Sequence, residues 1–126
     1  MSAEFQVSTT GLGDGVAGVV VLGEADIYTA PELKEALTAA IETGATSILV
    51  DLSGATFIDS TTLGVLMGAV RRLRPGGGEV AIACADPNIC RIFEITLLDR
   101  IFRIFPTPGE GLDHLRASSN GGTTTA

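Results

Sequence analysis

Residues 47–66 read SILVDLSGATFIDSTTLGVL, and this stretch decides the fold. Its first part, Ser47–Leu52, is a short apolar run rich in β-forming residues, as is typical of a strand buried at the centre of a sheet. The loop from Gly54 to Asp59 follows, and a helix begins near Ser60. That helix carries one apolar stripe at helical spacing, formed by Leu63, Leu66, Met67, Val70 and Leu73. A buried strand followed by an amphipathic helix predicts one unit of a parallel α/β sheet.

The same alternation continues on both sides of this unit. Four further strand candidates are apolar runs bounded by turn residues: Phe5–Ser8, Val16–Leu22, Glu79–Ala85 and Ile101–Phe105. Three further helices have start signals, namely the capping-box spacings Thr29–Glu32 and Thr107–Glu110 and the pair Asp86-Pro87. The predicted order is ββαβαβαβα. It indicates an α/β fold in which a mixed, mostly parallel β-sheet is packed with about four helices.

The composition indicates a single globular domain. Of the 126 residues, 45% are hydrophobic and 18% are charged, which suits one buried core and is too apolar for a disordered chain. We expect this domain at residues 1–117. Residues 118–126, SSNGGTTTA, are expected to form a mobile polar tail.

The net charge and the two cysteines argue against several classes of partner and cofactor. The net charge of −7, from 15 acidic and 8 basic residues, repels phosphate backbones and anionic lipid headgroups, so direct binding of nucleic acid or a membrane is not expected. No apolar run approaches the roughly 20 residues of a spanning helix, and we expect the protein in the cytoplasm. Cys84 and Cys90 fit small core residues, and no metal or cofactor is expected.

The motifs of common enzymes are missing from the sequence. The single histidine, His114, is far in sequence from any candidate nucleophile, and there is no Gly-x-Ser-x-Gly elbow, phosphate-binding loop or dinucleotide fingerprint. A small enzyme using Asp26, Asp59 and nearby hydroxyls would need a substrate pocket that no sequence feature indicates. We therefore expect a protein that is not an enzyme.

The segment Ile58–Gly64 places a cluster of hydroxyls at the start of the second helix. One interpretation is structural, because Asp59 or Ser60 can accept hydrogen bonds from free backbone N–H groups as an N-cap. A second interpretation is compatible with the first. A helix N-terminus has unpaired donors and a partial positive charge, so a hydroxyl there can become a phosphate without loss of the fold.

The outer face of this helix favours a docking surface. If its apolar stripe faces the sheet, 100° per residue places an outward strip opposite, formed by Thr61, Gly64, Val65, Gly68 and Arg72. Glycine costs about 1 kcal/mol relative to alanine inside a helix, so two outward glycines need a reason. A partner protein that approaches this face closely would explain both glycines, since they leave room for its backbone. The alternative is a different helical phase, in which both glycines pack tightly on the sheet.

Several motifs together resemble those of STAS-domain anti-sigma factor antagonists. The resemblance extends from about Phe5 to about Arg116, and its most specific part is Asp59-Ser60-Thr61 at this place in the element order. The matching segments are Gly23–Asp26, Thr29–Leu33, Val50–Ser53, Phe57–Thr61, Leu63–Leu66 and Ile92-Phe93. Two positions depart from the family pattern, since Thr62 stands where glycine is usual and Ala25 where isoleucine or leucine is usual.

The resemblance implies a STAS-like fold and a phosphorylation switch. In this family the unmodified antagonist binds an anti-sigma factor with serine-kinase activity and so frees the sigma factor. Phosphorylation of the serine ends this binding, and a metal-dependent serine phosphatase restores it. The resemblance assigns Ser60 as the phosphorylated residue, Thr61 as the second candidate, and Asp26 and Asp59 as flanking acids. The expected partner-binding surface is therefore Asp26, Asp59, Ser60, Thr61, Gly64, Val65 and Gly68.

One other non-enzymatic function stays open. A STAS domain can also act as a scaffold or as an accessory subunit of a sensor assembly or transporter, without a phosphate cycle. The two functions differ in whether a cognate kinase adds phosphate to the protein.

Overall fold

The computed structural model describes residues 5–124, with side chains for residues 5–118. Five strands are present: β1 (Gln6–Gly13), β2 (Val16–Ala25), β3 (Ser47–Ile58), β4 (Val80–Ala83) and β5 (Arg103–Phe105). Four α-helices accompany them: α1 (Ala30–Glu42), α2 (Ser60–Leu73), α3 (Pro87–Ile95) and α4 (Pro108–Thr124). Single 3-10 turns at Arg74–Gly76 and Leu98–Arg100 follow α2 and α3. The predicted order ββαβαβαβα is confirmed.

The strands form one mixed sheet in the order β1-β2-β3-β4-β5. β1 and β2 are antiparallel, and the remaining neighbours are parallel. The first pair is a hairpin, as predicted, and its turn contains Asp14 and Gly15 with positive φ angles of 56° and 78°. Each parallel neighbour is reached through a helix, as parallel strands require a crossover.

The helices lie on both faces of the sheet. Side chains along β3 alternate between the faces, so Ile48, Val50 and Leu52 join the large core with α1, α2 and α3. Leu49 points to the opposite face, where it packs with Leu115 of α4 in a smaller cluster. The sheet therefore separates α4 from α2 and from the hydroxyl cluster at its start.

The observed β3 is longer than the predicted Ser47–Leu52. It continues to Ile58 because it stays paired with β2, whose Ala25 lies opposite Ile58. Register shifts after Val20 and after Gly23 absorb the extra residues. The sequence did not predict this extension for two reasons. Ser53 and Gly54 are turn-forming residues, and the irregular pairing breaks the alternation expected of a strand. The prediction of a loop from Gly54 to Asp59 is therefore wrong, because residues 54–58 belong to β3.

Of the two predicted capping boxes, the one at α4 forms and the one at α1 does not. Thr29 precedes α1 but its side chain makes no capping bond; its hydroxyl instead donates to the Glu24 carbonyl oxygen at 3.1 Å. At α4, the Glu110 amide donates to Thr107 Oγ1 at 3.2 Å, as the capping interpretation requires.

The backbone of α4 is helical to Thr124, so it includes residues 118–124 of the predicted tail. Residues 1–4 and 125–126 lie outside the described residues. The boundary at residue 117 and the mobility of the tail stay predictions. None of the helices in the described part of the chain has the length and apolar character needed to cross a membrane.

Candidate functional site

Ser60 is the first residue of α2 and follows the end of β3 directly. Asp59 between them has an extended backbone, with φ −118° and ψ −179°, and caps the helix. Its Oδ1 accepts a hydrogen bond from the Thr62 amide at 3.0 Å. The N-cap interpretation is therefore confirmed for Asp59, and Ser60 is left with an exposed side chain in the first turn.

The three hydroxyls of the cluster point in different directions. Thr62 is fully buried, and its Oγ1 donates to Asp59 Oδ1 at 3.1 Å. Ser60 and Thr61 are exposed. Thr62 is thus accommodated in place of the usual glycine because its hydroxyl joins the cap, whereas Ser60 and Thr61 remain accessible to a modifying enzyme.

The loop between β2 and α1 lies beside this helix start. The Asp59 amide donates to the Ala25 carbonyl oxygen at 3.2 Å, which joins the ends of the two parallel strands. Asp26 follows, and its Oδ1 accepts from the amides of Tyr28 at 2.9 Å and Thr29 at 3.1 Å. The carboxylates of Asp26 and Asp59 are therefore fixed at the same edge of the sheet, one on each strand end.

The outer face of α2 is as the helical phase predicts. Buried residues of this helix are Thr62, Leu63, Leu66, Ala69, Val70 and Leu73. Gly64 is exposed and Gly68 half-buried, and a Cβ atom built on either would meet no atom within 4 Å. The alternative in which both glycines pack on the sheet is wrong. Met67, expected on the buried stripe, is half-buried because it lies roughly 100° around the helix from the centre of the buried face.

An apolar rim near the ends of β2 and β3 was not predicted from the sequence. Tyr28 is 89% exposed, Ile27 is 58% exposed and Phe57 is 47% exposed. Ile27 and Tyr28 belong to the loop that Asp26 orders, and Phe57 lies opposite Glu24 near the end of β3. A signal was present, since Ile27-Tyr28 is an apolar pair inside a loop between polar residues. Large exposed side chains of this kind are typical anchors of protein interfaces.

Other reactive side chains lie away from this site. His114 belongs to α4 on the far face of the sheet, where its Nε2 is 2.8 Å from Glu79 Oε1. Burial, followed by a hydrogen bond with Cys90, raises the pKa of the Cys84 thiol to about 12. Across the described residues, no group of three or more His, Cys, Asp or Glu side chains is arranged to hold a metal ion.

Comparison with known proteins gives a consistent picture. The family model described as the STAS domain matches residues 13–111. The chain is 38% identical over 86 residues to a protein of Staphylococcus aureus named anti-sigma-B factor antagonist, covering 68% of this chain and 80% of that protein. A protein of the same name from Listeria monocytogenes is 38% identical over 92 residues, covering 73% of this chain and 81% of the relative.

A solved structure agrees in fold and sequence. The crystal structure of an anti-sigma factor antagonist from Mycobacterium paratuberculosis superposes with a TM-score of 0.79 at 30% identity, covering 92% of this chain and 99% of that one. The family match spans most of the sheet and the start of α2 that carries Ser60. The chain belongs to the STAS domain family, among the proteins named anti-sigma factor antagonists.

Proposed function

We propose that this protein is an anti-sigma factor antagonist that is switched by phosphorylation of Ser60. The unmodified form binds an anti-sigma factor with serine-kinase activity and so releases a sigma factor. The phosphorylated form does not bind, and a metal-dependent serine phosphatase returns it to the binding form. The cycle operates in the cytoplasm, where sigma factors act.

The observation that carries this proposal is the position of Ser60. Its side chain is exposed at the first residue of α2, directly after the capping Asp59. Asp59 is the N-cap of α2, so the Ser60 hydroxyl is not needed to stabilise the start of the helix. A kinase can therefore modify Ser60 while the Asp59–Thr62 bonds keep the helix start in place.

The electrostatics of the site explain why a phosphate would end binding. A phosphoserine adds roughly −1.5 to −2 charges, and the helix N-terminus accommodates an anion. The fixed carboxylates of Asp26 and Asp59 nearby add to the negative potential rather than cancelling it. The domain would stay folded while its surface repels a partner that docks there through an acidic segment.

The partner-binding surface in this proposal surrounds Ser60. It combines the acids Asp26 and Asp59 with the outer face of α2, where Gly64 and Gly68 leave room for a closely approaching chain. Thr61 and Val65 complete this face. The rim of Ile27, Tyr28 and Phe57 provides apolar area next to the acids.

Phosphorylation is tested by intact mass. The wild-type protein is incubated with the cognate anti-sigma factor, ATP and Mg²⁺, and a gain of about 80 Da marks one phosphoryl group on a hydroxyl. We expect one phosphate on the wild type and on Thr61→Ala, and none on Ser60→Ala. Thr61→Ala is the matched control because Thr61 is also exposed and is adjacent to Ser60.

Two results would oppose the proposal. Phosphate that persists in Ser60→Ala and disappears in Thr61→Ala would move the switch to Thr61. No phosphate on the wild type with an active cognate kinase would favour a scaffold function without a phosphate cycle.

A further inference from the structure

A groove runs between α1 and α2 and begins next to the proposed phosphorylation site, Ser60. It has a volume of about 370 Å³, and its lining includes Thr61, the neighbour of Ser60, at one end and Arg72 towards the other. The twelve residues from Thr61 to Arg72 span roughly 17 Å along α2, which is about three turns of a helix. The groove therefore has the length of a short helical segment.

The floor and one wall of this α1–α2 groove suit a close-packed partner. Leu37 and Ala69 are buried at its base, and Ile41 and Val65 are half-buried. Along the α2 wall, Gly64 and Gly68 are one turn apart and have open space where a side chain would start. A partner backbone can approach closely at both positions because no Cβ atom stands in the way.

The charge of the groove is opposite to that of the whole chain. Its lining includes Lys34, Arg71 and Arg72 and no acidic residue, although the chain has 15 acidic and only 8 basic residues. Lys34 comes from α1 and both arginines from α2, so cations line both walls. The ion pairs found among the described residues involve His114 and Arg116, and none neutralises these three cations.

The cations are not explained by helix electrostatics alone. Arg71 and Arg72 lie in the last turn of α2, where a cation is favourable. Lys34 lies in the first half of α1, where the helix dipole gives a cation no advantage. Arg72 also reaches across the groove, with its Nη1 donating to Thr38 Oγ1 at 3.1 Å. Arg72 is exposed, so its other guanidinium N–H groups are available as donors to a partner.

We propose that the α1–α2 groove binds an acidic amphipathic helix of the anti-sigma factor. The apolar face of that helix packs on the groove floor, and its carboxylates pair with Lys34, Arg71 and Arg72. This inference rests on the proposed function and adds the chemistry of the contacting segment. An acidic segment that begins beside Thr61 would be repelled by a phosphate on Ser60, which gives the switch a direct electrostatic cause.

The test is a pair of charge-matched triple variants. Lys34→Ala/Arg71→Ala/Arg72→Ala removes the groove cations, and Arg91→Ala/Arg100→Ala/Arg103→Ala removes three exposed cations elsewhere. Both lower the net charge by three, and thermal unfolding checks that both fold. Affinity for the cognate anti-sigma factor is measured by titration calorimetry at low and high salt, with Ser60→Asp in parallel.

We expect the groove variant to bind the anti-sigma factor at least about tenfold more weakly at low salt, and to lose most of the salt dependence of binding. The control variant should bind within about twofold of wild type. Equal weakening of both variants, or wild-type affinity in the groove variant, overturns the groove inference. If Ser60→Asp still abolishes binding in that case, the proposed function stands. If the unmodified wild type does not bind the anti-sigma factor, both are overturned.

Discussion

Asp59 and Thr62 are joined by two hydrogen bonds to a single carboxylate oxygen. Oδ1 of Asp59 accepts from the Thr62 amide at 3.0 Å and from the Thr62 hydroxyl at 3.1 Å. The threonine is completely buried, so this contact ties the start of α2 to the core. The two side chains between them in sequence, Ser60 and Thr61, are exposed and take no part in this cap. In the proposed switch, the residue that caps the helix and the residue that is phosphorylated are therefore different.

Removal of the Asp59 carboxylate should destabilise the domain. We expect Asp59→Ala to lower the free energy of unfolding by about 2 kcal/mol, because the cap is lost and a buried hydroxyl loses its partner. Asp59→Asn retains an acceptor oxygen and should cost less than about 1 kcal/mol. Urea denaturation of both variants measures the difference. If both variants lose the same free energy of unfolding, the acceptor oxygen at position 59 does not stabilise the start of α2.

Alanine at the two outward glycines of α2 should stabilise the protein. Gly64→Ala and Gly68→Ala should each raise the free energy of unfolding by up to about 1 kcal/mol, since the added methyl meets open space and alanine favours the helix. Gly78→Ala is the contrasting control, because its Cβ would lie 1.7 Å from the Thr46 carbonyl oxygen. Thermal unfolding measures the expected stabilisation by Gly64→Ala and Gly68→Ala and the expected destabilisation by Gly78→Ala. A destabilised Gly64→Ala would contradict the open geometry of this face.

The exposed rim at Tyr28 should contribute to binding and little to stability. We expect Tyr28→Ala to weaken binding of the anti-sigma factor by about tenfold, as for an aromatic interface anchor. Its unfolding free energy should change by less than about 0.5 kcal/mol, because the side chain is 89% exposed. Ile95→Ala is the control, since Ile95 is 71% exposed in α3. Equal effects of the two substitutions on affinity would remove Tyr28 from the interface.

The thiol of Cys84 should be inert in the folded protein. Burial, together with a hydrogen bond that the Cys84 thiol donates to Cys90, raises its pKa to about 12, so the nucleophilic thiolate is scarce at pH 8. We expect iodoacetamide to modify Cys84 slowly in buffer and rapidly in concentrated urea, as followed by peptide mass. Raising the pH towards 10 should not restore fast modification while the fold persists. Rapid modification at pH 8 in buffer would contradict the burial.

The sequence was sufficient for the element order but not for every boundary. Alternation of apolar runs and helical stripes predicted ββαβαβαβα because each buried face leaves its own period in the sequence. The extension of β3 to Ile58 could not be predicted, since its pairing with β2 shifts register twice and the turn-forming Gly54 lies within it. The hydroxyl of Thr29 was assigned to a cap, but the nearby Glu24 carbonyl oxygen competes for it.

The candidate site was predicted unevenly for similar reasons. Local rules located Ser60 at a helix start and gave the correct outward phase for Gly64 and Gly68, because both depend only on helical geometry. The groove cation Lys34 could not be associated with Arg72, since their proximity depends on how α1 packs beside α2. Tyr28 was overlooked because its exposure follows from the turn that Asp26 orders.

The central claim is that a phosphate on Ser60 ends partner binding without unfolding the domain. The most direct measurement is a calorimetric titration of the cognate anti-sigma factor with the unmodified protein and with fully Ser60-phosphorylated protein, with the circular dichroism of both recorded. We predict saturable binding of the unmodified protein, no detectable binding of the phosphorylated one at the same concentrations, and matching spectra. Equal affinity of the two forms would contradict the claim.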